Sequence, residues 1–206
     1  MGSDWEYSII WEKHGHQLLL DHRHLMNFPK GKMLLEIGSD HGEGSTRPLA
    51  TMAKELGLGF ATVDMDPEIT EKSKFVAEID ESFKNICGKG EEFIRTLDPE
   101  SIAILYLDAY DTMPPGLQLP GDMKAPYISR MGGWDTRSAW RMHLTACKEA
   151  DSRMVPGGLI CFDDVWRRNG VMAYRSKGYL AIPWLLSKGY KEINFVEGCA
   201  LYGKEP

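Results

Sequence analysis

No long apolar run, no close cysteine pair and no basic cluster occurs in this 206-residue sequence, and each absence removes a class of function. Crossing a bilayer takes about 20 consecutive apolar residues. None are present, and acidic Asp4 and Glu6 lie near the start, so the chain reads as having no signal peptide, membrane span or membrane partner. Its four cysteines, Cys87, Cys147, Cys161 and Cys199, form no C-x-x-C pair. Cys87, Cys161 and Cys199 fall in predicted strands and read as buried free thiols, which suits a reducing, cytoplasmic setting. Net charge is −6 with Lys and Arg dispersed, which offers nucleic acid no footprint. Internal repeats and low-complexity segments are missing. The H-x-H pairs His14/His16 and His22/His24 have no cysteine beside them and do not share one tight helix face, which argues against zinc. A helical cap turning one or two of these histidines toward a pocket remains open. No 2-His-1-carboxylate triad for iron is visible.

What is present is an alternation of apolar strand-like runs with amphipathic helical segments, the pattern of an α/β doubly wound sheet, mostly parallel. The length suits one domain, expected over 31–206, with 1–30 as N-terminal helical cover. The segment LLEIGSDHGEGSTRPLA (34–50) reads as buried strand, Gly-bearing loop and helix start, with Ser45 or Thr46 as candidate cap. Such a unit presents backbone N–H groups and a positive helix end to a ligand. A second strand, GFATV, ends in Asp64, placed to hydrogen-bond the two hydroxyls of a ribose. A helix is predicted over 67–79, a short strand over 85–88, and a helix opening at Gly90-Glu91. SIAILYL (101–107) is a buried central strand ending in Asp108. Residues 112–133, with four prolines, read as a lid-like, substrate-facing insertion. A helix over 135–153 carries Ala139, Met142, His143 and Ala146 on one face. Pro156-Gly157-Gly158 reads as a turn into strand 159–162. The tail reads as a helix over 181–188 and an antiparallel hairpin, 191–196 and 199–202.

The loop departs from the dinucleotide fingerprint: G-x-G-x-x-G counted from Gly38 needs glycine where the chain has Asp40 and Glu43. Those charges repel a pyrophosphate, and no G-x-x-x-x-G-K-[ST] exists. A cationic or zwitterionic ligand suits the loop better, and S-adenosylmethionine carries a sulfonium and an amino group. The run Glu36-Ile37-Gly38-Ser39 resembles motif I of class I S-adenosylmethionine-dependent methyltransferases, and Val63-Asp64-Met65-Asp66-Pro67 resembles their second motif. The resemblance covers about 33–203. It implies a cofactor whose methionine end lies near Glu36, Gly38, Ser39, Gly42 and Ser45, whose ribose lies near Asp64 and Met65, and whose adenine is flanked by Gly90 and Glu91, with Asp108 also bordering the site.

In a doubly wound sheet the strand C-termini converge on the ligand crevice. Asp108 ends one strand and Asp163-Asp164 follow another, LICF; three such carboxylates repel unless something positive sits between them. A hard cation such as Mg²⁺ takes oxygen ligands and keeps open positions for substrate oxygens. The placement is similar to that of metal-dependent O-methyltransferases of the catechol type and their sugar- and antibiotic-tailoring relatives, of the family 24 kind, which implies Asp108, Asp163 and Asp164 as metal ligands. Those relatives carry a Lys or His as base where this chain has Asp111, so Asp111 and His143 are the candidate catalytic groups. The expected reaction is metal-assisted O-methylation of a small hydroxylated acceptor, a sugar, phenol or natural product. A metal-independent methyltransferase and a nicotinamide oxidoreductase are the alternatives, and a homo-oligomer is left open.

Overall fold

The computed structural model of the chain describes residues 13–39, 44–109, 136–173 and 176–204. The candidate residues Gly42 and Asp111 and the expected lid at 112–133 lie outside them, as do residues 1–12 of the expected cover over 1–30.

Five parallel strands form the sheet's backbone: β1 (Met33–Ile37), β2 (Gly59–Asp64), β3 (Lys84–Cys87), β4 (Ile102–Leu107) and β5 (Met154–Val165). Two dipeptide strands, β6 (Arg167–Arg168) and β7 (Val171–Met172), pair separately, and β8 (Tyr190–Val196) and β9 (Gly198–Lys204) close the sheet as an antiparallel hairpin. The spatial order is β3-β2-β1-β4-β5-β9-β8. All six residues of β4 are buried, as a strand covered on both faces by helices requires.

Period-two alternation sorts the core into two layers. Leu35, Ile37, Leu105, Leu107, Ile160 and Phe162 face α5 (Gly90–Arg95), α6 (Thr136–Asp151) and α7 (Ala181–Ser187). Leu34, Phe60, Ile104, Tyr106, Cys161 and Leu201 face α1 (Gly15–Asp21), α2 (Thr46–Leu56) and the α3 (Pro67–Lys72) to α4 (Val76–Ile79) segment. In α6, Ala139, Met142, His143 and Ala146 are buried as the spacing predicts. Among the described residues no helix is long and apolar enough to cross a membrane.

Three expectations fail locally. The helix over 67–79 is broken by a 3-10 turn, Ser73–Phe75, where the Ser73 hydroxyl donates to the Ile69 carbonyl and bends the ladder. Pro156-Gly157-Gly158 lies inside β5 instead of before it: a register shift against β4 and a left-handed Gly157 (φ 74°) absorb the irregularity. Cys87 is exposed because β3 is the sheet edge; Cys147, Cys161 and Cys199 are buried.

Candidate functional site

The strand order reverses between β1 and β4, which opens a crevice beyond their C-terminal ends. Gly38 forms its floor. With φ 91° it turns the chain out of β1, and a Cβ there would meet the Ala109 nitrogen at 2.4 Å, so no side chain fits. The Asp108 amide donates to the Ile37 carbonyl, and the Gly38 amide to the Val63 carbonyl, which ties the three strand ends together. Gly90 is similarly constrained: a Cβ would lie 2.4 Å from Ile37 Cγ2, so its absence lets the first turn of α5, with half-buried Glu91, seat against the end of β1.

Glu36 is buried beneath this floor, its Oε1 accepting from the Ser45 hydroxyl at 2.6 Å. Ser45 therefore supports Glu36 and does not cap α2 with its side chain, as the spacing had suggested. Among the described residues, Glu36 Oε2 and Ser39 Oγ are buried without a hydrogen-bond partner. Burial pushes the Glu36 carboxyl up to about 7, opposed by the Ser45, Thr62 and Thr46 hydroxyls, with Asp64 adding to the rise. At the end of β2, half-buried Asp64 accepts from the Ser39 amide at 3.1 Å and the Asp66 amide at 2.9 Å. Met65, also half-buried, follows it at the crevice edge.

The other half of the crevice differs from expectation. The three aspartates cluster at the ends of β4 and β5, but a lysine that the sequence reading overlooked sits among them. The Lys177 ammonium lies 2.6 Å from Asp108 Oδ1, 2.8 Å from Asp164 Oδ2 and 2.7 Å from the Asp108 carbonyl, with its side chain 1% exposed. Asp163 faces the opposite layer: its Oδ2 accepts from the Tyr106 hydroxyl at 2.5 Å and from the Gly15 amide of α1 at 3.2 Å, and its Oδ1 from the Asp164 amide at 3.1 Å. A bulge separates the two aspartates, with Asp164 at φ 56°, a strained conformation for a non-glycine residue. Burial raises the Asp108 carboxyl, the Lys177 ammonium opposes it, and the Asp163 and Asp164 charges push it further up. No set of three or more His, Cys, Asp or Glu among the described residues is arranged to hold a metal ion. The donor set does not fit the expected Mg²⁺, because the Lys177 ammonium lies between Asp108 and Asp164 while Asp163 turns away to Tyr106 and α1.

His143 is fully buried, and its Nδ1 donates to the Ala139 carbonyl at 2.7 Å, which leaves Nε2 an acceptor with no partner among the described residues. Burial, then the Lys177 charge, lowers it to about 3, so the ring is neutral at working pH. It packs 6.4 Å from the Phe162 ring, a filling role inside the core. At the N-terminal side His14 and His16 stack at 5.8 Å. His16 is half-buried and lowered by burial, with Asp163 opposing.

Comparison with known proteins bears on the architecture. No protein-family model and no curated protein matches the chain in sequence. Solved structures do match in fold. A protein provisionally described as a caffeoyl-CoA O-methyltransferase, from Staphylococcus aureus, superposes with a TM-score of 0.57 at 16% identity, over 95% of this chain and 85% of that one. The fold is that of the class I methyltransferases. One provisionally described as an O-methyltransferase, from Klebsiella pneumoniae, gives 0.56 at 15% identity, over 93% and 80%. One provisionally described as a sarcosine dimethylglycine methyltransferase, from Galdieria sulphuraria, gives 0.54 at 13% identity, and this chain spans 87% of itself but only 62% of that protein. The terminal antiparallel hairpin expected of this fold is β8–β9.

Proposed function

We propose that this chain is an S-adenosylmethionine-dependent methyltransferase that methylates a hydroxyl of a small molecule. The observation that carries this reading is Asp64 at the end of β2, beside the Gly38 floor at the point where the strand order reverses. The orphaned Glu36 Oε2 and Ser39 Oγ beneath that floor fit a ligand with an amino group, and Asp40 and Glu43 disfavour the pyrophosphate of a nicotinamide cofactor. Glu36, Gly38, Ser39, Gly42 and Ser45 would hold the methionine end, Asp64 and Met65 the ribose, and Gly90 and Glu91 the adenine. When bound, S-adenosylmethionine supplies an activated methyl, which leaves sulfur for the acceptor oxygen as that oxygen gives up its proton.

The expected metal assistance is not part of this proposal, since Asp108, Asp163 and Asp164 are engaged by Lys177, Tyr106 and α1. His143, neutral and sealed in the core, orients no proton at the acceptor. Asp111, three residues beyond Asp108, is the candidate base that this reading retains. The acceptor class, a hydroxylated sugar, phenol or natural product, rests on the resemblance to O-methyltransferases.

Thermal unfolding with S-adenosylhomocysteine or NAD tests the reading. A specific ligand at about 100 times its dissociation constant adds about 2.7 kcal/mol. For a domain of this size that raises Tm by roughly 5–10 °C. A rise with S-adenosylhomocysteine and none with NAD is expected; the reverse would make the chain a nicotinamide-binding protein.

A further inference from the structure

We propose that Lys177 is a built-in cation that takes the seat a divalent metal would occupy between the ends of β4 and β5, making this site metal-independent. An ammonium has three protons to donate, and Lys177 has three oxygen acceptors within 2.8 Å: both carboxylates and the Asp108 carbonyl. A metal of the Mg²⁺ type keeps waters that a substrate can replace. A lysine so engaged has no proton left over, so the seat is closed to the acceptor oxygen. Lys177 then acts as a positioning residue that neutralises and aligns Asp108 and Asp164 without touching the reacting atoms.

The lysine is placed by its own backbone as well as by charge. The Lys177 amide donates to the Asp164 carbonyl at 3.0 Å. Its neighbour Ser176, fully buried, bridges the Trp166 amide and carbonyl through its hydroxyl, at 2.8 Å each. On the other side Gly178 lets the chain pass Ile182, whose Cδ1 would lie 2.3 Å from a Cβ at that position. Segment 176–178 is thus clamped onto the end of β5, and the bulge at Asp164 turns its carboxylate toward the ammonium. These are the features of a formed ion-pair site, unlike a surface lysine resting on an acidic patch.

The site's consequence for catalysis rests on the methyltransferase reading, but the cation seat can be tested without cofactor or acceptor. Mn²⁺ binding to metal-stripped protein is followed by electron paramagnetic resonance and by thermal unfolding, for wild type, Asp164→Asn, Lys177→Met and Lys177→Met/Asp164→Asn. Wild type is expected to bind no Mn²⁺ at 1:1 stoichiometry up to ~1 mM and to unfold at the same temperature with and without it. Lys177→Met is expected to gain one Mn²⁺ site, tightening at least tenfold over wild type, and the double variant to lose it. Stoichiometric Mn²⁺ binding by wild type that Asp164→Asn abolishes would overturn the proposal, as would a folded Lys177→Met that binds none. Should Lys177→Met not fold, the wild-type arm decides. S-adenosylhomocysteine titrations of the same samples separate failure of the cofactor reading from failure of this one.

Discussion

Two ends of one sheet carry acidic residues for different reasons. At the ends of β1 and β2, Glu36 and Asp64 are held by hydroxyls and backbone amides, and among the described residues Glu36 keeps a buried oxygen without a partner. At the ends of β4 and β5, Asp108 and Asp164 are ion-paired to Lys177, and Asp163 is bound by Tyr106 and α1. The donors named for the first group are neutral, whereas the second has a cation of the chain itself in its midst. A carboxylate at a strand end is therefore not a functional label until its partners are known.

The sharpest break of that contrast is Lys177→Met. Removing one partner of a buried ion pair typically costs 3–5 kcal/mol, and urea unfolding of the variant should show a loss of that order. Lys177→Met/Asp164→Asn should recover part of it, and a loss under about 1 kcal/mol in the single variant would mean the pair is solvated. Second in size is the pH response of Glu36. Its carboxyl is raised from 4.5 in the unfolded chain to about 7, so the folded state holds a proton that the unfolded state has released. Stability from this group is present below pH 4.5 and falls as pH rises to about 7, by about 3 kcal/mol. Glu36→Gln should remove that fall, with stability matching wild type near pH 4 and exceeding it at pH 8. A pH slope unchanged in the variant would place the titration elsewhere.

Gly38→Ala puts a methyl 2.4 Å from the Ala109 nitrogen at a left-handed position. Backbone strain of this kind costs about 1–3 kcal/mol. Calorimetric titration should also show S-adenosylhomocysteine binding abolished, and retained affinity would remove Gly38 from the cofactor floor. The smallest effect expected is that of Asp64→Asn, which keeps one acceptor for the amides of Ser39 and Asp66 and loses the charge. Hydrogen bonds to charged groups contribute about 1.5–3 kcal/mol, so the S-adenosylhomocysteine dissociation constant should rise at least tenfold. An unchanged constant would take the ribose away from Asp64.

How far the sequence reached can be traced residue by residue. Asp64 and Asp108 were legible because each ends an apolar run whose burial and direction follow from alternation and length. The antiparallel hairpin was legible because Glu197 and Gly198 leave too little chain for a crossover. Lys177 was not, since its neutralising role depends on a fold-back of 176–178 onto β5 that no local pattern encodes, and buried lysines are rare unless paired. The signal that could have found it was the charge deficit itself: three carboxylates at neighbouring strand ends require a cation, and the chain's own lysines are the nearest supply. Ser45 was misread for a related reason. Local propensity makes it a cap, but the buried carboxylate nine residues earlier is the stronger claimant. The break in the helix over 67–79 and the passage of β5 through Pro156 are likewise tertiary outcomes overriding local preference.

The contact between Gly15 and Asp163 joins residues 148 positions apart, and the Cys199 thiol reaches the Lys13 carbonyl across 186. A Cβ at Gly15 would stand 2.8 Å from the Tyr106 ring, so α1 seats flush on strands made long after it. During synthesis the contacts of α1 with β5 and β9 can form only after those strands have emerged, so the seat of α1 is completed by the last strand made.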